Sequence, residues 1–588
     1  MIKNHSYQNI LIENKKLGEN FPRGSEYRIN ILSNMMVPQI KELLEYCLRL
    51  QGINAVVEFG NYDNIVQDSR HLSKAHAMII FWEAANLING LQYKAETMKK
   101  GEIESLLEKV KREIEYVFSN LAATPLVVFN KFSSLVFNHS FLRSNNFDYI
   151  VNELNSFLEP KVPSGGVLVD IDKVIASISI EKSVDWRFYY SSKMLYTIEY
   201  YKQYVDYVKP LFMAVNGKAK KVLIFDCDNT LWEGVVGEDG KDGIKMDDET
   251  PEGTVFEEVQ SLGLSLAQKG VMLGICSKNN PADVDEILGG EGMTIKDDDL
   301  TIKKVNWSDK YQNLASVADE LNVGEDSLVF IDESDFEVGL IREKMPMVTT
   351  VQVPKSLYAY PVLFRKYMDL FFNFSISIED QKRGRMYKQN KARQKMKVSF
   401  LNLDDYLRAL ELRVCLHEND QSSAARVAQL TQKTNQFNLT TKRYTEADIK
   451  RMMASNDHKI IAFSVFDKFG DNGMVGVFII KHIGGIADID TFLMSCRIIG
   501  RNIEYVVFDR LVDRLKQLGM LQIRSWYKKT TKNGQVSNFF SNLGFKVVSE
   551  NKDATEYVLP ISGYKGSNVD YIKVEHVSKN ESKQFKVK

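Results

Sequence analysis

Cysteine is scarce in this chain of 588 residues: Cys47, Cys227, Cys276, Cys415 and Cys496 are the five, and no CxxC spacing joins them. That excludes a disulfide framework and a zinc site built on paired thiols, so a functional cysteine here would act as a lone thiolate. Net charge is nearly absent as well, at -1 from 76 basic and 77 acidic residues. A broad basic footprint for nucleic acid is therefore not expected. Long apolar runs are missing: AMIIFW at 77–82 is bounded by His76 and Glu83, far short of a bilayer's thickness. The opening MIKNHSYQNILIENKKLG breaks every apolar stretch with lysine or asparagine and lacks a signal-peptide core. No membrane association and a cytoplasmic location are the expectations.

With 44% hydrophobic and 26% charged residues the chain has an ordinary globular composition, and it is too long for one core. Strand-like YRINIL, INAVVEF, AMIIFW and TPLVVFN alternate with amphipathic QIKELLEYCLRL and GEIESLLEKVKREIEYVFSNL. That alternation predicts a flavodoxin-like α/β domain over 1–205. A second, Rossmann-like α/β unit over 218–370 follows from KVLIFD, TVFEEVQSLGLSLAQKG, VMLGICS, YQNLASVADEL and DSLVFID. Residues 371–400, rich in lysine and arginine, read as a solvated linker helix. A third α/β domain is expected over 401–565, with a hairpin across FGDNG and a helix at IEYVVFDRLVDRLKQLG. A mobile polar tail is expected from 566 to 588.

Three strands of the second unit end in Asp226, Ser277 and Asp332, and open α/β sheets bind ligands at such ends. Asp226 and Asp228 in FDCDNT can hold a divalent cation, for which magnesium suits an all-oxygen set. A carboxylate can take a phosphoryl group as an aspartyl-phosphate, and a second can serve as acid and base. Ser277 and Lys310 are available to hold phosphoryl oxygens. Only a glycine-rich flap and one helix separate Asp226 from Ser277, which leaves no room for a large cap and predicts an open crevice.

LIFDCDNTL, GICSKN, NWSDK and VFIDESDFE together resemble the four signatures of the haloacid dehalogenase superfamily. The resemblance implies Asp226 as nucleophile, Asp228 as acid and base, and Ser277 with Lys310 on the phosphate. It implies Asp226, Asp228 and Asp332 at the metal. Lys303 and Lys304 compete with Lys310, and the NWxxK spacing favours Lys310. Where that family usually has two adjacent aspartates this chain has Asp332 and Glu333, so the expected place of Glu333 is the metal's outer shell. WEGVVGEDG, DWRFYYSSKM and QLTQKTNQFNLTTKRYT resemble the FkbH-like family. That likeness implies loading of a glyceryl unit from 1,3-bisphosphoglycerate, a phosphorylated small-molecule donor, onto an acyl carrier protein.

The C-terminal pattern is similar to GNAT-type acyltransferases, which implies a thioester donor, either coenzyme A or a carrier's phosphopantetheine, at a helix start. Arg497, Gly500 and Arg501 in CRIIGRN stand at that place, with Asn502 where a small residue is usual. Cys496 beside them and Cys276 beside the crevice are rival holders of an acyl group. The polar group Lys433, Asn435, Gln436 and Asn438 suggests a substrate or interdomain role. In the first domain ILSN resembles the nucleophile turn of SGNH-type hydrolases, with Ser33 in place but no Asp-x-x-His partner, so a degenerate recognition domain is expected. Two other functions compete: an N-acyltransferase for an amino sugar or amine in surface-polymer assembly, with a scaffold central domain, and a noncatalytic assembly platform.

Overall fold

Runs of aliphatic residues bounded by polar turns make five strands in the first sheet: β1 (Tyr27–Ser33), β2 (Ala55–Phe59), β3 (Ala77–Phe81), β4 (Leu126–Asn130) and β5 (Gly166–Val169). They are all parallel, in the order β2-β1-β3-β4-β5. β3 and β4 are buried along their whole length, as strands covered by helices on both faces must be. The long helix Lys100–Leu121 buries the stripe Ile103, Leu106, Leu107, Val110, Ile114 and Val117 that its periodicity predicts.

This computed structural model describes residues 5–22, 26–138, 145–163, 165–290, 292–321, 323–373, 393, 396–397, 399–400, 402–530, 532–551 and 554–576, the side chains of Cys496 and His576 excepted. Two units divide the chain, Met1–Asn216 and Gly217–Lys588. The boundary expected at 205 falls inside the helix Ile198–Val215, so the first unit runs on to Asn216. Among the described residues no helix is long and apolar enough to cross a membrane.

The second unit carries two sheets. In the first, β6 (Val222–Phe225), β7 (Met272–Ser277), β8 (Leu300–Val305), β9 (Leu328–Asp332) and β10 (Thr349–Gln352) run parallel in the order β10-β9-β6-β7-β8. β6 is central and wholly buried. Its side chains alternate between two cores, Leu223 and Phe225 packing with Phe256 and Phe364, Val222 and Ile224 with Leu314 and Phe330. Between Asp226 and the helix Pro251–Gln268 stand only the bridges Asp228–Trp232 and Glu233–Lys245 and the short helix Val236–Gly243.

The other sheet is mixed: β11 (Arg413–Glu418), β12 (Phe437–Asn438), β13 (His458–Asp467), β14 (Gly470–Ile483), β15 (Ile486–Met494), β16 (Gln522–Lys528), β17 (Lys546–Glu550), β18 (Ala554–Pro560) and β19 (Lys573–His576). The order is β17-β18-β16-β15-β14-β13-β11-β19, and β12 pairs with β15. The tail expected to be mobile supplies β19, which pairs in parallel with β11 from Arg413–Lys573 onward. Most of the linker helix expected at 371–400 lies outside the described residues. Arg393 is described, and it is 2% exposed and paired with Asp467 rather than solvated.

Candidate active site

The site grows from strand register. Phe225 pairs with Ile331 on β9 and with Ile275 on β7, so the next residues along, Asp226, Asp332 and Cys276, fall side by side at the carboxyl edge. Asp226 N still donates to Ile331 O at 2.9 Å, which fixes its backbone in the ladder. The chain then turns sharply: Thr230 N and Leu231 N both donate to Cys227 O, with Asn229 in the left-handed region at φ 51°. Asparagine tolerates that conformation better than other residues with a side chain, apart from aspartate. The turn aims the buried Thr230 hydroxyl at Glu333 Oε2, 3.2 Å away.

Lys310 opens the helix Lys310–Leu321, and Asn306 N just before it donates to Ser277 O. Its ammonium reaches 2.7 Å from Asp332 Oδ2 and 3.1 Å from Asp226 Oδ1. Its rivals are engaged elsewhere, Lys303 with Asp285 and Asp297, Lys304 with Glu320. Asp332 Oδ1 accepts from Ser334 N at 2.8 Å. Asp226, Ser277, Lys310 and Asp332 are all buried, so the crevice is tighter than expected, and its partly exposed members are Asp228 and Glu333.

One oxygen each from Asp226, Asp332 and Glu333 lies within 4.8 Å of the other two. Asp226 Oδ1 is buried without a hydrogen bond, Lys310 being its ion-pair partner only. A hard divalent ion fits such a set, because three carboxylates against one ammonium leave negative charge to neutralise. Burial lifts the Asp226 carboxyl to about 6 despite the pull of Lys310. Burial and then the charges of Asp226 and Asp332 lift Glu333 to about 8. The same two acids hold Lys310 protonated, well above its ordinary range, against the opposing effect of its burial.

The side-chain oxygens that meet here are not the three expected at the metal. Asp228 is not in the cluster: its Oδ1 accepts from Trp232 Nε1 at 3.0 Å and Val236 N at 3.1 Å, and its Oδ2 from Asn279 Nδ2 at 2.9 Å. Glu333, expected outside, takes its place because its longer side chain reaches in from the residue after Asp332. Asn279 was not singled out by the sequence. It is 6% exposed and its amide also reaches Ser277 Oγ at 3.3 Å, so it ties the acid–base candidate to the phosphate-holding one.

Two other expectations fail. Cys276 is fully buried, its thiol reaches Lys310 O at 3.8 Å, and burial raises it far above the thiol range, so it is no thiolate. Arg501 is not free for a phosphate: it donates to Asp467 Oδ2 at 3.1 Å and to Arg497 O at 2.9 Å and is 7% exposed. Arg393 clamps the same carboxylate through two 2.8 Å bonds, joined by Asn472 Nδ2 and Phe469 N. Arg497 Nε donates to Ser495 Oγ, and Gly500 has φ +80°. The Cys496 side chain lies outside the described residues. In the first unit Ser33 Oγ is 2.8 Å from Met35 O and 3.0 Å from Met35 N, a local turn with no base among its partners in the described residues, outside which His139 lies.

No family model and no curated protein matches the chain. Among solved structures it is similar to the N-terminal part of a Bacteroides fragilis protein, described as containing a phosphatase domain and complexed with Mg. The TM-score is 0.55 at 20% identity, covering 63% of this chain and 100% of that one. At that identity the likeness speaks for the fold. A GNAT-family acetyltransferase from Desulfovibrio desulfuricans, called putative in its description, aligns over 25% of this chain and 99% of its own, with TM-score 0.22 and 13% identity. The ribosomal-protein-S18-alanine N-acetyltransferase of Escherichia coli aligns over 27% and 99%, with TM-score 0.20 and 14% identity.

Proposed function

We propose that this chain is a magnesium-dependent phosphotransferase of the haloacid dehalogenase type, in which Asp226 takes a phosphoryl group from a small phosphorylated acyl donor and the acyl unit passes to an acyl carrier protein. The observation that carries the phosphoryl half is the meeting of Asp226, Asp332 and Glu333 within 4.8 Å, with Lys310 against two of them. An Asp226 oxygen attacks phosphorus, the bond to the leaving oxygen breaks, and water then attacks phosphorus to regenerate the carboxylate. Asp228, partly exposed beside it, gives the leaving oxygen a proton and later takes one from water. Ser277 and Lys310 hold the phosphoryl oxygens. A magnesium ion held by Asp226, Asp332 and Glu333 would supply charge neutralisation at the phosphoryl group.

The acyl half rests on the FkbH-like resemblance of WEGVVGEDG and QLTQKTNQFNLTTKRYT. A three-carbon donor such as 1,3-bisphosphoglycerate carries both an acyl phosphate and a phosphate ester. The carrier's thiol displaces the acyl phosphate, forming the S–C bond as the C–O bond to phosphate breaks, while Asp226 removes the ester phosphate. Burial and protonation remove Cys276 as a relay for the acyl unit, which leaves direct transfer to the carrier's own thiol, or a relay through Cys496, as the routes of this proposal. Intact-mass measurement of carrier proteins after incubation with the donor, magnesium and this protein tests the reading. A glyceryl gain supports it; release of phosphate with no gain on any cognate carrier reduces it to phosphatase.

A further inference from the structure

NQFNLTT, the most distinctive string in the C-terminal domain, has no part in the phosphoryl site. Its position is decided by a gap in the mixed sheet. β15 and β16 are parallel and pair only from Ile486–Gln522 to Ile489–Ser525. Where such strands separate, each presents unpaired N–H and C=O groups to the gap. An extended amide chain, such as a pantetheine arm, pairs with edges of that kind. β15 ends at Met494 and the helix whose start was expected to hold the thioester's phosphates begins at Ile503, so the gap leads to that place.

The chain fills the gap itself. Phe437 and Asn438 pair antiparallel with Met494 and Leu493 of β15. Leu439 N donates to Phe492 O at 3.1 Å, and Thr440 Oγ1 to Asp490 O at 2.9 Å. On the opposite side Lys528 N, at the end of β16, donates to Leu439 O at 2.7 Å. Asn533 Nδ2 donates to Asn438 O and to Lys528 O, each at 2.9 Å. The segment is thus bonded to both diverging strands.

Its composition follows from that position. Phe437 packs edge-on against Phe492 and Phe539, with ring centroids 5.2 and 5.6 Å away. Asn438, 1% exposed, closes the turn on either side: its Nδ2 donates to Thr434 O and its Oδ1 accepts from Thr441 N, with Thr441 at φ 55°. Leu439 is likewise 1% exposed. The basic side of the expected cofactor site is consumed independently, because Arg501 is spent with Arg393 on Asp467.

We infer that residues 437–440 are the permanent occupant of this gap, so that the C-terminal domain takes no coenzyme A or phosphopantetheine arm between β15 and β16. The inference stands on this domain's geometry and not on the phosphoryl chemistry. An acyl group moving onto a carrier does so without a thioester arm lodged in this sheet. The N-acyltransferase alternative loses its donor site.

The full-length wild-type chain is sufficient for the test. Thermal unfolding and calorimetry with coenzyme A, acetyl coenzyme A and free pantetheine are expected to give no saturable binding. Native-state hydrogen exchange is expected to place the Leu439 and Lys528 amides among the slowest in the domain. Saturable binding that Arg497→Ala weakens would overturn the inference. So would exchange at Leu439 and Lys528 much faster than in β14 and β15, since the segment would then be leaving the gap. Neither result depends on carrier acylation or phosphate release, so failure here is separable from failure of the proposed reaction.

Discussion

Asp226 and Asp332 stand side by side because the residues before them, Phe225 and Ile331, are register partners in a parallel ladder. Two buried carboxylates at that spacing repel unless a cation lies against them, and Lys310 supplies one. Lys310→Met removes it and leaves the acids uncompensated. The expected loss is about 3–5 kcal/mol of stability in magnesium-free buffer. Added magnesium is expected to restore a larger share of stability in this variant than it adds to wild type, as read by urea unfolding with and without the ion.

In the proposed reaction Asn279 would act through Asp228 and Ser277, to both of which its amide is bonded. Without its amide, Asp228 Oδ2 loses its only donor among the described residues while Oδ1 keeps Trp232 and Val236. The carboxylate can then swing away from the leaving group, and small misplacements of that kind cost up to about 100-fold. Asn279→Ala is expected to lower kcat of phosphate release by about 10–100-fold with KM little changed. A variant with raised KM and unchanged kcat would assign Asn279 to binding instead.

How far the sequence reached is visible in this cluster. Asp226, Ser277 and Asp332 are legible together because each ends an apolar strand and parallel α/β topology brings such ends to one edge, whereas Lys310 is legible only through the NWxxK spacing of the family resemblance. The approach of Glu333 to Asp226 and Asp332 is not legible in the sequence, since neighbouring residues on a strand point apart and only the turn after β9 lets it reach in. Arg501 was misread because its partners are remote: Asp467 is 34 positions before it, and Arg393 is 74 positions before Asp467. β19 was missed for the same reason, and a two-residue strand such as β12 carries no periodicity at all.

In the first unit, Glu83 is buried where β3 ends, and its carboxylate accepts from Ala85 N and Tyr196 OH. Burial outweighs those bonds and raises its carboxyl to about 7 from 4.5. The folded state therefore binds the proton more tightly than the unfolded state. This contribution to stability is fully present below about pH 4.5 and is lost as pH rises to about 7, amounting to roughly 3 kcal/mol. Glu83→Gln, neutral throughout, is expected to abolish that fall, as measured by urea unfolding of both chains at about pH 5 and about pH 8. Equal pH slopes in the two proteins would refute it.

Asn438→Ala strips the turn that holds the filled gap, leaving Thr441 N–H and Thr434 C=O without their partner. Both groups are half-buried, so water meets part of their need, and a loss of about 1–3 kcal/mol in the C-terminal domain is expected from chemical unfolding. A change below about 0.5 kcal/mol, the range typical of surface substitutions, would mean that the segment does not hold the sheet together.

The most direct test of the central claim is the mass of the protein itself, quenched in acid after mixing with magnesium and acetyl phosphate and then digested. One phosphoryl group is expected on the peptide containing Asp226, absent without magnesium, absent in Asp226→Asn, and released by hydroxylamine. A wild-type chain that never carries phosphate there, or an Asp226→Asn chain that carries as much, would contradict it.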